Sequence, residues 1–176
     1  MNETNTFKKF RNSPQDNFPE YIIIHHSGGT DQNPLEDTSN HTAKIMEDYH
    51  LSKGWEGLGY QYVIHKNGDV WAGRPETYHG AHTVDYNKKS IGICLAGNFD
   101  ATLPTLEQVK SLTDLMNTIK VKYNIPLDKI VPHRTFANKT CYGKKLADDW
   151  ARKLLQTPPI SKEDIKKQII DLVNKL

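Results

Sequence analysis

Three positions in the sequence place metal-binding side chains where folds commonly build sites. His25 and His26 end a short apolar run, His133 follows a second one, and seven residues separate His133 from Cys141. Imidazole and thiolate are ligands that zinc prefers, and a site with three protein ligands keeps a fourth position for water. The pattern is therefore compatible with a catalytic metal site built from His25, His133 and Cys141, although the spacing alone is a weak signal.

The same residues also have an ordinary interpretation, because the chain contains eight histidines and a single histidine is more often a surface or core residue than a ligand. From spacing alone, both interpretations remain open. His26 is expected to be structural, since successive side chains of a strand point to opposite faces. We interpret His41, His50 and His65 as surface residues.

The elements that must position these side chains alternate between strands and helices. Apolar, β-branched runs predict strands at 21–25, 60–66, 69–72, 91–96 and 130–131. Helical spacing predicts helices at 39–51, 105–123 and 144–156. Asn67-Gly68 is a strong hairpin signal, and Thr105 with Gln108 fits a capping box. This order predicts an α/β domain with one mixed sheet flanked by helices.

Three segments are expected along the chain. Residues 1–19 are polar and aperiodic, which predicts an extended or loosely docked arm. Residues 20–157 form the catalytic domain. Residues 158–176 begin with Pro158-Pro159 and continue into an amphipathic C-terminal helix from Ser161. We expect a monomer, with association through that helix as an alternative.

Composition excludes several classes of function. Hydrophobic residues make up 36% and charged residues 25% of the chain, with a net charge of +2, as in ordinary globular proteins. The sequence has no dense block of Lys and Arg residues that would indicate a nucleic-acid partner. No apolar run approaches the length of a membrane span. The polar N-terminus lacks the basic region and apolar stretch of a secretory signal. Two cysteines are too few for a disulfide scaffold.

An ordered set of short motifs between about residues 20 and 156 resembles the N-acetylmuramoyl-L-alanine amidase family. That family includes phage amidase-type lysozymes and animal peptidoglycan recognition proteins. In chain order, the matching stretches are Ile23-Ile24-His25-His26-Ser27, Gly54-Trp55, Gly59-Tyr60-Gln61-Tyr62-Val63-Ile64, Asn67-Gly68, Ala72-Gly73-Arg74, Gly80-Ala81-His82, Tyr86-Asn87, Ser90-Ile91-Gly92-Ile93, Ala96-Gly97-Asn98-Phe99, and His133-Arg134 with Cys141. No single stretch is diagnostic, but their order and spacing are specific.

The resemblance implies roles for particular residues. His25, His133 and Cys141 match the family's zinc ligands, which makes Zn²⁺ the expected cofactor. Tyr60 matches the active-site tyrosine of the catalytic members. Lys139 matches the active-site lysine of the phage enzymes, where the recognition proteins usually have threonine. Without the resemblance, simple packing for Tyr60 and a solvated loop position for Lys139 would be the preferred interpretations.

The resemblance also implies the substrate and the place of action. The expected reaction is hydrolysis of the lactyl amide that joins muramic acid to L-alanine in peptidoglycan, as in a phage or prophage endolysin. Such a protein would be made in the cytoplasm and would reach the cell wall after release. His82, Arg74 and Trp55 are expected near the substrate. Arg74 either supports the groove or binds a stem-peptide carboxylate.

Other interpretations compete with this one. Some members of the family bind peptidoglycan without cutting it, typically when the zinc cysteine is replaced, so a recognition module is the main alternative. A different zinc hydrolase is disfavoured because the chain has no His-Glu-x-x-His motif. The family usually has Cys-Pro-Gly at the third ligand, where this chain has Cys141-Tyr142-Gly143, and the missing proline is expected to loosen that turn.

Overall fold

The computed structural model describes residues 1–30 and 32–156, and these residues form a six-stranded mixed sheet with helices on both faces. The strands are β1 (Asn2–Glu3), β2 (Tyr21–His26), β3 (Tyr62–Ile64), β4 (Val70–Ala72), β5 (Ser90–Leu95) and β6 (Ile130–Pro132). The α-helices are α1 (Asn5–Phe10), α2 (Ala43–Ser52), α3 (Leu106–Tyr123) and α4 (Trp150–Gln156). Short 3₁₀ turns at Leu127–Lys129 and His133–Thr135 flank β6.

The centre of the sheet is parallel. The strand order is β1-β4-β3-β5-β2-β6, and β2 pairs in parallel with both β5 and β6. β3 joins β5 in parallel and β4 in antiparallel pairing, while β1 adds to β4 in parallel. The sheet is therefore mixed and flanked by helices, which confirms the predicted fold class.

Alternation along β2 and β5 assigns each face of the sheet to different helices. Ile22 and Ile24 of β2 belong to the large core that includes residues of α3 and α4. Cys94 belongs to a smaller cluster with Ala43 and Met46 of α2. Since side chains alternate between faces, His25 lies on the α2 side of the sheet.

The local signals for the hairpin and for α3 are confirmed. β3 and β4 pair in antiparallel register, with Gly68 at a positive φ of 86° between them. At this φ an L side chain would be strained, so the turn favours glycine. Thr105 and Gln108 form the reciprocal capping box at the start of α3.

α4 begins six residues later than the helix predicted from Lys144. The backbone ahead of it is bonded to side chains instead of to a helical ladder. The amide of Lys144 donates to Asp100 Oδ1, and the Tyr142 hydroxyl donates to the carbonyl of Ala147. The guanidinium of Arg134 donates to the carbonyl of Leu146. These partners hold residues 144–149 as turns.

The C-terminal helix expected from Ser161 lies outside the described residues. Within the described part of the chain, no helix is both long and apolar enough to cross a membrane.

The N-terminal segment, expected to be an extended or loosely docked arm, is instead part of the folded domain. β1 extends the sheet, and α1 is capped by Thr4, whose hydroxyl accepts a hydrogen bond from Phe7 N. Phe10 is buried and stacks on Tyr78 with ring centroids 4.4 Å apart. Periodicity could not reveal this, because a helix of six residues and a strand of two are too short for a pattern.

Thr6 connects this segment to the domain. Its amide and its hydroxyl both donate to Glu47 Oε1 on α2, and the hydroxyl also accepts a hydrogen bond of 2.8 Å from Leu58 N. Glu47 is 3% exposed, so its carboxylate depends on these donors in place of water. A Cβ at Gly57 would lie 2.3 Å from the Thr6 hydroxyl, so the loop can approach only with glycine there.

We predict that Thr6→Val lowers the free energy of unfolding by about 1–3 kcal/mol. Valine keeps the shape but leaves the buried Leu58 amide without its acceptor and removes one donor from Glu47. Urea unfolding followed by far-UV circular dichroism measures the change. The matched control is Thr118→Val on the exposed side of α3, expected to change stability by less than about 0.5 kcal/mol. Equal effects of the two substitutions would contradict the proposed link.

Candidate metal centre

His25 and His133 lie together because their strands are parallel neighbours. His25 is near the carboxyl end of β2, and His133 directly follows β6. The register pairs Ile24 with Pro132, so each histidine comes one residue after a paired position. The ring centroids of His25 and His133 are 4.4 Å apart.

The loop that follows His133 brings Cys141 to the same place. Asp100 accepts a 2.7 Å hydrogen bond from the Thr140 hydroxyl, and Arg134 donates to the carbonyls of Thr140 and Gly143 on either side of the cysteine. Cys141 Sγ accepts from His26 N at 3.4 Å and lies 3.7 Å from His25 Nδ1. One potential ligand atom from each of His25, His133 and Cys141 lies within 4.8 Å of the others.

The tyrosine that replaces the family's proline is anchored, contrary to the expected loosening of the turn. Tyr142 has no exposed surface and packs its ring against Trp150, with centroids 5.6 Å apart. The guanidinium carbon of Arg134 lies 5.1 Å from the centroid of the same ring.

The electrostatics of the cluster fit a soft divalent metal. Burial lowers the pKa of His25 well below its usual value and lowers that of His133 to about 4, so both imidazoles are neutral and can offer a lone pair. Burial raises the pKa of Cys141 to about 12, which keeps it a thiol in the absence of a cation. Neutral imidazoles and a thiol that loses its proton on coordination form a donor set that zinc accepts.

Tyr60 lies beside the cluster on the same face of the sheet. Its ring centroid is 5.0 Å from that of His25, and it packs against the cluster of buried residues that includes Cys94. Burial raises the pKa of Tyr60 well above its usual value, so the phenol keeps its proton.

An open cavity of about 600 Å³ gives access to the cluster. Lys139 is exposed at its rim, two residues before Cys141. The lining residues are His25, His26, Ser27, Gly28, Gly29, Thr30, Pro34, Trp55, Tyr60, Ala81, His82, Asp100, His133, Lys139, Thr140 and Cys141. A second cavity of about 490 Å³ runs along α2 and shares the wall formed by Ser27 to Thr30 and Tyr60. Because they share this wall, we refer to the two cavities together as the groove.

Trp55 forms part of the cavity wall and is 43% exposed. It stacks on His50, with centroids 4.5 Å apart and ring planes 15° from parallel. The expectation that His50 is a surface residue is wrong, because it is 7% exposed and its Nδ1 accepts a hydrogen bond from Gly59 N. The spacing of residues in the sequence does not indicate the stacking of His50 on Trp55.

Arg74 is not among the residues that line the cavity. Its side chain is buried, and its guanidinium donates to the backbone carbonyls of Leu58 and His79. It lies over the rings of Phe10 and Tyr78. Of the two roles expected for Arg74, support of the loops behind the groove agrees with these contacts, whereas binding of a ligand carboxylate does not.

The remaining histidines of interest have defined partners. His82 reaches the cluster from the long loop before β5, with its Nδ1 3.1 Å from His25 Nε2. His26 faces the opposite side of the sheet, where its Nδ1 accepts from Phe99 N at 2.9 Å, as expected for a structural residue. His65, expected at the surface, is half-buried and its Nε2 accepts from Ala43 N at the start of α2.

Known proteins with similar sequences or structures include N-acetylmuramoyl-L-alanine amidases, phage endolysins and peptidoglycan-recognition proteins. The endolysin of Enterobacteria phage T3 is 32% identical over 144 residues, which cover 78% of this chain and 89% of that protein. A human N-acetylmuramoyl-L-alanine amidase is 28% identical over 160 residues, and there the chain spans only 27% of the relative's length. The structure of N-acetylmuramoyl-L-alanine amidase LysC from Clostridium intestinale URNW matches with a TM-score of 0.72 at 27% identity, covering 89% of this chain and 97% of that one.

The family model described as N-acetylmuramoyl-L-alanine amidase matches residues 15–144. This range holds β2 to β6, α2, α3 and all of the residues of the metal cluster. Since it covers well over half of the sequence, the chain belongs to the N-acetylmuramoyl-L-alanine amidase family.

Proposed function

We propose that this protein is a zinc-dependent N-acetylmuramoyl-L-alanine amidase that cleaves the lactyl amide between muramic acid and L-alanine of peptidoglycan, in the manner of a phage or prophage endolysin. The observation that carries the proposal is the cluster of His25, His133 and Cys141, whose ligand atoms lie within 4.8 Å of one another beside an open cavity. Tyr60 and Lys139 on the same cavity supply the polar groups that amide hydrolysis needs.

The three ligands would hold the metal with one position left for water, which is the arrangement of catalytic zinc sites. Bound there, zinc would lower the pKa of a water molecule and polarise the scissile carbonyl. The buried thiol of Cys141 and the two neutral imidazoles define where that carbonyl must approach.

Tyr60 supports the reaction as a hydrogen-bond donor. Burial raises its pKa, so the phenol is protonated and its hydroxyl can donate. A substrate carbonyl oxygen in the cavity would be an acceptor for that hydroxyl. Tyr60 would then stabilise the negative charge that develops on that oxygen in the transition state.

Lys139 supplies a mobile positive charge at the rim of the cavity. An ammonium group offers three donors on a flexible stem, so it can follow the developing oxyanion or protonate the departing amine of L-alanine. Its position two residues before Cys141 places it on the loop that Asp100 and Arg134 hold in place.

The groove suits a substrate with both a sugar and a peptide arm. The two cavities meet at Tyr60 and the Ser27–Thr30 loop, so a substrate can extend in two directions from the cluster. Trp55, already stacked on His50, presents an aromatic ring that a sugar or an apolar side chain can contact without ordering a loose side chain.

We predict that the purified protein releases free L-alanine amino termini from peptidoglycan without producing new reducing sugar ends. Dinitrophenylation of the products measures the first, and a ferricyanide assay the second. A chelator should abolish the release, and added zinc should restore it. Tight co-sedimentation with the wall without any release would instead indicate a recognition module.

We predict that Cys141→Ser loses zinc binding and amidase activity while keeping the fold, because a serine hydroxyl does not replace a thiolate as a zinc ligand. Equilibrium dialysis with metal analysis measures the zinc content. Cys94→Ala is the matched control, since Cys94 is also a buried cysteine but lies outside the ligand cluster, and this variant should still bind one zinc. Wild-type cleavage rates for Cys141→Ser would disprove the assigned site.

We predict that Lys139→Ala keeps zinc but lowers kcat by about 100-fold or more, as expected for loss of a donor to the transition state. The matched control is Lys144→Ala on the same loop, because Lys144 is exposed and does not line the cavity. Its bond to Asp100 uses the backbone amide, which alanine retains. Similar kcat values for the two variants would remove Lys139 from the mechanism.

A further inference from the structure

We propose that His82 is a positioning residue for the metal centre: it accepts a hydrogen bond from the outer nitrogen of His25 and thereby sets the orientation and the proton position of that ligand. The proposal rests on the proposed metal centre and adds a residue that acts through a ligand. It replaces the expectation that His82 serves mainly as a substrate contact.

The geometry divides the two nitrogens of His25 between different partners. Nδ1 faces Cys141 Sγ at 3.7 Å, on the side of the ligand cluster, whereas Nε2 lies 3.1 Å from His82 Nδ1. A neutral imidazole carries one proton, and the nitrogen that binds a metal must be bare. The proton of His25 therefore belongs on Nε2, where His82 Nδ1 is its acceptor.

The contacts of His82 agree with this proton arrangement. With Nδ1 as acceptor, the proton of His82 is on Nε2, which faces Ser90 Oγ at 3.5 Å. The Ser90 hydroxyl donates its own proton to the carbonyl of Tyr86 at 2.6 Å, so its oxygen is free to accept. The Thr83 hydroxyl lies 3.0 Å from His82 Nδ1 and, in this proton arrangement, would share the single lone pair of that nitrogen as a second donor.

The backbone and two glycines fix the His82 ring in place. Its amide donates to Asn87 Oδ1 at 2.8 Å, which anchors the loop. A Cβ at Gly80 would lie 2.3 Å from His82 Cδ2, and one at Gly92 would lie 2.6 Å from it. Both positions must therefore lack a side chain for the ring to fit. Gly92 is in the interior of β5, where glycine normally weakens a strand. The close approach of the His82 ring explains why glycine occurs at this position.

A residue that holds the second nitrogen of a histidine ligand increases the affinity of the site for its metal. Partners that hold the second nitrogen of a metal-bound histidine are typically worth 10–100-fold in metal affinity or activity. Because His82 touches the ligand and not the cation, its removal should weaken binding without removing the site.

The test compares zinc affinity of the wild type with that of His82→Phe and His82→Asn. Phenylalanine keeps a ring between Gly80 and Gly92 but has no acceptor, whereas the Oδ1 of asparagine can take the place of Nδ1. Competition with a chromophoric zinc chelator should give a dissociation constant about 10–100-fold higher for His82→Phe and within about threefold of wild type for His82→Asn. Thr83→Val, which removes only the second donor, is the matched control and should bind zinc like the wild type.

Unchanged zinc affinity in His82→Phe would overturn this inference alone, and it would return His82 to the role of a substrate contact. Equal weakening in both His82 variants would also overturn it, because the acceptor would then not matter. A wild type that binds no zinc would overturn the metal centre and this inference with it.

A second measurement does not depend on any variant folding. Long-range ¹H–¹⁵N correlation spectra of the zinc-loaded wild type should show His25 protonated at Nε2 and His82 protonated at Nε2. A His25 ring protonated at Nδ1 in that sample would contradict the proposal.

Discussion

The parallel pairing of β2 with β5 on one side and β6 on the other is the constraint on which the rest of the structure depends. It buries the Ile22 to Ile24 run on both faces, which provides much of the large core. Parallel strands also end at the same edge of a sheet, so side chains that follow them are brought together without any local signal between them. The proximity of His25 and His133 is thus a direct result of the same pairing that stabilises the domain.

The cost of this arrangement is a buried sheet face that carries polar groups. His25, Tyr60 and Cys94 lie on the face of the sheet that α2 covers, where an unpaired polar group would cost about 1–3 kcal/mol. The structure offsets part of that cost by pairing His25 with His82. His26, the next residue along β2, has its partner on the other face. Adjacent residues of one strand therefore serve the site and the core separately.

Much of this could be predicted from the sequence, and the rest could not for definable reasons. β2, β5, the Asn67-Gly68 hairpin and α3 have strong local patterns, and the structure has each of them. The resemblance to a family, not the spacing, singled out Tyr60 and Lys139. The start of α4 was missed because Asp100, Arg134 and Tyr142 hold the preceding backbone. These contacts join residues far apart in the chain or depend on the conformation of the loop. The periodicity of apolar residues gives no information on either.

The histidines show the same limit. A surface position was predicted for His50, which is buried behind Trp55, and a groove contact was one expectation for Arg74, which is bonded to backbone carbonyls. A residue type indicates which bonds a side chain can make, but only the fold determines which partners come within reach. The sequence likewise does not explain why glycine occurs at positions 80 and 92, whereas the structure shows that a side chain at either position would clash with the His82 ring.

The short outer strands have a consequence for how copies of this protein behave at high concentration. β1 contributes two residues at one border of the sheet, and β6 contributes three at the other, ending at Pro132, which has no amide hydrogen to donate. Long, flat outer strands serve as templates for adding a strand from a neighbouring molecule, and very short or proline-bearing ones do not. At high protein concentration such strand addition would lead to aggregation, and within the described residues this sheet offers few free backbone groups to begin it.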